Sequence, residues 1–274
     1  MSDPDQPKLE LQISSPQALV RRMDQQLDLV DRILAEADAA QALMPASITN
    51  SLGMQMLWCP PGVFLMGSPE DEEERFESEN HVQVQISQGF WMARTTVTQG
   101  QWEALMFGNP SRSKGPNLPV EYVSWGDAVE FCTKLNDIEN RPSGYHYRLP
   151  TEAQWEYACR AGEKGPYSGS SLDEVGWYIG NSGNQMHEVG QKKPNSWRLH
   201  DMHGNVCEWC ADWCDDKLKS GIDPTGLSSG DYRVFRGGSW LSYASNCRAA
   251  SRLRSGPGLR SRDLGFRPAL VPSR

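Results

Sequence analysis

Three groups of residues in this 274-residue chain have types and spacings that could do chemistry. Cys207-x-x-Cys210-x-x-x-Cys214 is the one cysteine cluster, and thiols at that spacing suit a thiolate metal site. The second cysteine or cysteine/histidine pair of a zinc ribbon is missing, however. The neighbouring Trp209 and Trp213 favour these cysteines as small buried residues. His200-x-x-His203 brings two imidazoles together without further ligands, which fits structural or exposed histidines better than a zinc centre. The third group is the run from Leu241 to Asp263, and the chemistry it suggests is recognition.

Within that run, Leu241, Ser242, Tyr243, Ser245, Ser251, Leu253, Ser255, Gly256, Gly258, Leu259, Ser261 and Asp263 follow neither the two-residue nor the 3.6-residue apolar period. They look like positions where side-chain identity is left free. The window holds no Lys, Glu, Gln, Met or Trp, although Met and Trp alone number ten each in the chain. The plain reading is a surface loop tied down by Cys247, Ala249, Ala250 and several arginines, since loops vary and carry mixed polarity. The flanks read as scaffold. Arg236-Gly-Gly-Ser-Trp240 offers two glycines for a tight or left-handed backbone and an aromatic to bury, and Leu264-Gly-Phe-Arg267 closes on the same pattern.

The formal net charge of −8 argues against a nucleic acid or an anionic membrane held through overall charge, because both need a basic face. No run of eighteen apolar residues is present, and the start, Met-Ser-Asp-Pro-Asp-Gln-Pro, lacks the basic and apolar regions of a secretory signal. Seven cysteines in that setting read as reduced thiols, and the expected location is cytoplasmic.

Several elements must position these groups. Residues 1–14 are polar, and Ser15-Pro16 opens a helix with an apolar stripe of Leu19, Val20, Met23, Leu27, Val30 and Leu34 within 16–43. That stripe suits packing on the main domain as well as self-association. Met54–Trp58, Val63–Gly67, Val82–Ile86 and Phe90–Ala93 read as strands, and Glu70 to Glu79 as a solvated acidic loop. Thr98-x-x-Gln101, Ser124-x-x-Asp127 and Thr151-x-x-Gln154 predict three capped helices with apolar faces. With 25 Gly and 18 Pro, the chain predicts an α+β fold of short elements and many turns.

Pro61–Ser68, Pro119–Trp125, Tyr147–Tyr157, Leu199–Trp209, Arg236–Trp240 and Leu264–Arg267 occur in the order seen in the formylglycine-generating-enzyme, or sulfatase-modifying-factor, family. The resemblance covers roughly residues 48–270. It implies a C-type-lectin-like α+β fold, with small antiparallel sheets, flanking helices and long loops, over 48–274 after an N-terminal extension at 1–47. The oxidising members use two cysteines shortly after the Arg-Gly-Gly-Ser-aromatic motif to bind copper. Here Ser242 stands at the first place and the stretch for the second is shortened, so no copper is expected. The sulfoxide-synthase relatives need three iron-binding histidines in a helical domain, and residues 1–47 contain none.

The chain is more similar to the variable proteins of diversity-generating retroelements, which share the lectin-like core. In those, asparagine codons in a C-terminal segment are rewritten at adenines, which reaches Leu, Ser, Tyr, Gly, Asp and Arg but never Lys, Glu, Gln, Met or Trp. The resemblance therefore implies a non-enzymatic protein with a variable region at 241–263, whose twelve free positions bind a variable macromolecular ligand, a protein by preference. It also implies a structural Ca²⁺ held by Asp201 and Glu208 side chains and the Gly204 and Val206 carbonyls, an all-oxygen set that suits the ion. Neither nucleic acid nor membrane insertion is expected. The alternatives are an oxidoreductase of the formylglycine-generating type using Cys207 or Cys247, and a structural lectin-like subunit without diversification.

Overall fold

All three expected capping boxes form. Thr98, Ser124 and Thr151 each accept from the backbone N–H three residues on, while Gln101, Asp127 and Gln154 reach back to the cap's own N–H. Together they start α1 (Gln99–Leu105), α2 (Trp125–Ile138) and α3 (Glu152–Arg160). Each such cap contributes about 1 kcal/mol, which matters most for helices as short as these. A single further turn, α4 (Leu172–Val175), follows.

The computed structural model describes residues 44–273; the helix expected within 16–43, and any self-association through it, lies outside the described residues. From Pro45 onward the chain forms one unit. None of its helices, among the described residues, is long and apolar enough to cross a membrane.

Strands make up four small sheets. An antiparallel sheet runs β1 (Ser47–Thr49), β2 (Gln55–Cys59), β5 (Phe90–Ala93), β14 (Ala269–Pro272), β6 (Tyr145–Arg148), so that the end of the chain is inserted between two earlier strands. Alternation of Val82, Val84 and Ile86 with Gln83 and Gln85 sets the middle strand of a second sheet: β10 (Gly221–Ile222), β4 (Val82–Ile86), β3 (Gly62–Met66). A third sheet runs β12 (Arg252–Ser255), β11 (Arg233–Arg236), β9 (Cys207–Trp213), β13 (Leu264–Gly265), and β7 (Gly176–Trp177) pairs with β8 (His203–Gly204). Trp155, Leu57, Phe90, Val84, Ile86 and Val234 meet in one core between these layers and α3.

Charge holds the third sheet and the loops around it. Arg236, fully buried on β11, donates to the carbonyls of Ala249 (2.9 Å) and Ser251 and pairs with Glu156 on α3. Arg252 forks onto Glu152 (2.6 and 2.8 Å) and caps the Ser78 carbonyl (3.0 Å). Arg248 meets both oxygens of Glu79 at 2.8 Å and Glu72 at 2.7 Å. Arg267 forks onto Glu208 at 2.6 Å twice. These bidentate pairs tie the stretch around 248–252, at its own backbone and from within, to α3 and to the loop after β3.

One expectation is thereby corrected. Glu70 to Glu79 is solvated at Glu70, Asp71, Glu73, Glu74 and Glu77 but not throughout, because Glu79 is fully buried and the Glu72 side chain is 7 % exposed, both on Arg248. An acidic run reads as solvated only while its partner, 169 residues away in the chain, is unknown.

Replacing one member of a buried ion pair leaves the other charge uncompensated, at a cost of about 3–5 kcal/mol. Arg248→Ala should therefore lower the urea midpoint sharply, by an amount of that order, whereas Arg254→Ala, at an exposed pair with Asp216, should leave it almost unchanged. Equal midpoints for the two variants would refute the structural role of Arg248.

Candidate functional site

The segment 241–263 leaves the Gly-Gly turn at a point with no room for side chains. Gly237 and Gly238 have φ of +93° and +69°, and a Cβ on Gly238 would lie 2.6 Å from Cys247 Sγ. The turn brings Ser239 and Trp240 inward, after which the chain runs outward through a short 3₁₀ turn at Ala244–Cys247, back in to Ala249–Ser251, and out along β12. In its sheet β12 is an edge strand, so one of its sides has no neighbouring strand among the described residues.

Tyr243 is 70 % exposed and Leu259 38 %, with Gly258 also on the surface. Leu241, Ser245, Leu253, Ser255 and Gly256 are half-buried. Leu241 packs at the margin of a small cluster of Met186, Val206 and Trp240. Ser242, Ser261 and Asp263 are tied to one another through Ser239. Ser239 Oγ donates to Asp263 Oδ2 (3.0 Å), Ser261 Oγ donates to Asp263 Oδ1, and the Ser239 and Ser242 hydroxyls lie 3.1 Å apart. A change at these three positions would break a local network, so they are less free than the rest.

Ser251 is a correction. It was expected among the free positions, but it is fully buried, its carbonyl accepts from Arg236, and its hydroxyl has no partner among the described residues. Two positions further on, the half-buried Leu253 stands on the edge strand, where side chains point alternately in and out of the sheet.

The other candidate groups are committed to the fold. His203 Nδ1 donates to the Cys247 carbonyl (2.8 Å) and Nε2 accepts from Ser168 N (3.0 Å), while burial lowers its pKa to about 4. His200 Nδ1 donates to the Lys192 carbonyl (2.9 Å), and its Nε2 lies 3.0 Å from the Arg94 guanidinium. Neither histidine has a lone pair left for a metal. Cys207 and Cys210 are buried on β9, and burial pushes both thiols well above their ordinary range. Burial raises Cys247 to about 12. Thiols held neutral in this way are poor nucleophiles and poor metal ligands.

The residues expected to hold calcium fit an oxygen-ligated cation in part. Asp201 is buried with Oδ2 accepting from Gly190 N (2.7 Å) and with Oδ1 lacking any partner among the described residues. Burial raises this carboxyl to about 6, against the opposing pull of the Gly190 N–H and of the Arg267 charge. Glu208 is mostly occupied: Oε2 accepts from Trp155 Nε1 (2.7 Å) and Arg267 Nε, and Oε1 from Arg267 Nη2, which leaves room for one further contact at Oε1. Asn181, the one residue comparable to a second calcium site, uses its Oδ1 to accept from Tyr178 N (2.9 Å).

Sequence reasoning missed the aromatic residues beside the segment. Trp125, Trp213, Tyr232 and Phe235 come from three separate stretches, and no spacing rule connects them. Substituting leucine should separate the two kinds of serine. Ser251→Leu should destabilise by about 1–3 kcal/mol through overpacking, and Ser245→Leu should leave the thermal midpoint nearly unchanged. A tolerant Ser251 would sink the inward assignment.

Comparison with known proteins places this geometry in a family. A formylglycine-generating enzyme from Thermomonospora curvata is 33% identical, over 67% of this chain and 64% of its own length. The one from Mus musculus is 34% identical over 56% and 44%. A chaperone protein LppX from Paenibacillus barcinonensis is 34% identical over 56% and 70%. The chain thus spans only about half to two thirds of several curated relatives it matches. Among solved structures, Treponema denticola variable protein 1 matches with a TM-score of 0.77 and 32% identity over 84% of this chain and all of that one. PvdO from Pseudomonas aeruginosa matches at 0.74 and 26% over 83% and 98%. The expected α+β fold of the formylglycine-generating-enzyme type, with small sheets and short flanking helices, is the one found. With the sulfatase-modifying factor enzyme 1-like domain matched over residues 41–271, the chain belongs to that family.

Proposed function

We propose that this protein is a non-enzymatic ligand-binding protein whose surface between Leu241 and Asp263 is diversified by a diversity-generating retroelement, and whose targets are proteins. One observation carries the reading: the segment is anchored through buried arginines and backbone carbonyls, so that Tyr243, Ser245, Leu253, Ser255, Gly258 and Leu259 can change without touching the core. Surface changes of this kind cost little, whereas core changes cost about 1–5 kcal/mol each. Tyr and Leu among Ser and Gly also resemble paratope chemistry. The likeness to a variable protein supports the same reading. So does the absence from the window of the five residue types that a rewritten asparagine codon cannot produce.

The decisive experiment is at the locus. A near-identical repeat of the coding segment, with AAC codons at the diversified positions beside a reverse-transcriptase gene, is expected; a locus with neither rules out diversification. All seven cysteines are free, which supports a reducing compartment and the cytoplasmic placement included in this proposal.

The second reading is oxidation of a cysteine peptide, and the names of the sequence relatives favour it. Ser242 supplies no thiolate, and Cys207 and Cys247 are buried thiols. Copper(I) titration together with oxygen-dependent turnover of a cysteine peptide should give neither tight binding nor product. Robust turnover would replace the binding reading with the enzymatic one.

A structural Ca²⁺ is part of the proposal, held by Asp201 Oδ1, the Gly204 and Val206 carbonyls and the remaining contact at Glu208. Added calcium should raise the thermal midpoint, chelation should reverse it, and Asp201→Asn should abolish the response. A midpoint indifferent to calcium would discard this site.

A further inference from the structure

Beside the diversified strand stands a set of side chains that neither the core nor diversification accounts for. The Arg233 guanidinium is stacked between two indoles, 3.7 Å from the Trp125 ring centre and 3.5 Å from that of Trp213. All three residues are half-buried, facing the surface. Arg254 lies 5.6 Å over Tyr232, and Arg112 lies 4.7 Å over Tyr122. Each stack touches the stretch 254–261. Arg233 is in register with Ser255, Trp125 N donates to the Pro257 carbonyl (3.1 Å), and Tyr122 N donates to the Ser261 carbonyl (2.9 Å).

The charge here is opposite to that of the chain as a whole. Residues 241–263 carry five arginines and one aspartate, on a chain of net charge −8. Arg248 and Arg252 are consumed inside, but Arg254, Arg260 and Arg262 remain at the surface. The carboxylates facing them are Asp216 on Arg254 and Asp127 on Arg260, exposed or partly exposed pairs that contribute little and exchange readily. Arg233 Nη1 is committed to the Ala211 carbonyl (2.5 Å), and Nη2 donates to nothing among the described residues. Stacking orients a guanidinium and removes part of its water, so that a carboxylate meets Nη2 donors already in place, while Nε stays buried. Trp, Tyr and Arg are also the residues that dominate interface energetics.

We infer that the three arginine–aromatic stacks are a constant anchor for an acidic segment of the protein target, leaving the diversified side chains to choose among targets that share this chemistry. The inference rests on the reading of 241–263 as a binding surface. Arginine–aromatic stacks also suit single-stranded nucleic acid. A polyanion tracking across a surface of net charge −8 is repelled beyond the anchor, whereas a local cluster of carboxylates on a folded protein is not.

The probe is an immobilised random copolymer of glutamate and tyrosine, with a lysine–tyrosine copolymer as its counterpart. The full chain should bind the acidic copolymer roughly tenfold more tightly or better. Arg233→Met should weaken that binding roughly tenfold, and Arg254→Ser, at an exposed site that cannot unfold the domain, by several-fold. Phe107→Ser removes a fully exposed aromatic elsewhere on the surface and should change nothing. Equal binding to both copolymers, or a loss with Phe107→Ser as large as with the arginine variants, overturns the anchor. Tighter binding of a single-stranded oligonucleotide than of the acidic copolymer also overturns it, in favour of nucleic acid. Each of these outcomes leaves diversification standing, since that is decided by the template repeat at the locus.

Discussion

A guanidinium group is costly to bury unless a carboxylate and carbonyls meet it, and four arginines find such acceptors around one C-terminal region. Arg236, Arg248, Arg252 and Arg267 satisfy Glu156, Glu79, Glu152 and Glu208, together with the carbonyls of Ala249, Ser251, Ser78 and Ala93. The geometry is demanding because both ends are planar forks. Once made, it holds backbone from opposite ends of the chain in a single arrangement, including a loop and a strand that have few apolar contacts of their own.

That constraint explains how tolerance and rigidity coexist a few residues apart. Arg248 and Arg252 lie inside the segment that varies in this reading, yet they face inward and belong to the frame. Tyr243 and Leu259 face water and carry no structural duty. Between them, Ser239 joins Ser242, Ser261 and Asp263 into a network that is neither wholly frame nor wholly free. The same inward frame also takes up the groups that could have reacted: Cys207, Cys210, His200 and His203 are all buried by it. A structure that stabilises its loops with buried polar groups thereby quiets its reactive ones.

The separation of duties has a consequence for recognition. On the proposed reading, side chains that vary cannot by themselves guarantee a favourable encounter, because some combinations will be small and featureless. Arg233 between Trp125 and Trp213 lies on strands and helix ends outside the segment, so it is present whatever the segment carries. In that proposal, electrostatic attraction from such a fixed feature would act mainly on encounter and orientation, and packing of the variable groups mainly on lifetime.

Much of this was legible in the sequence where the determinants are local. The boxes at Thr98, Ser124 and Thr151, the alternation in Val82–Ile86 and the glycine pair after Arg236 each act over a few residues, and each formed as expected. The exposure of Tyr243 and Leu259 agrees with the lack of any apolar period around them. What the sequence could not disclose was partnership at a distance. Glu79 looked solvated until Arg248 was brought to it, Ser251 looked like its serine neighbours until Arg236 drew its carbonyl inside, and Trp125, Arg233 and Trp213 had no visible relation at all. The chain's own order thus determined the elements and the family. Which arginines lie inside and which face a partner was decided only by tertiary structure, because the burial of a charge depends on the acceptors that distant segments deliver to it.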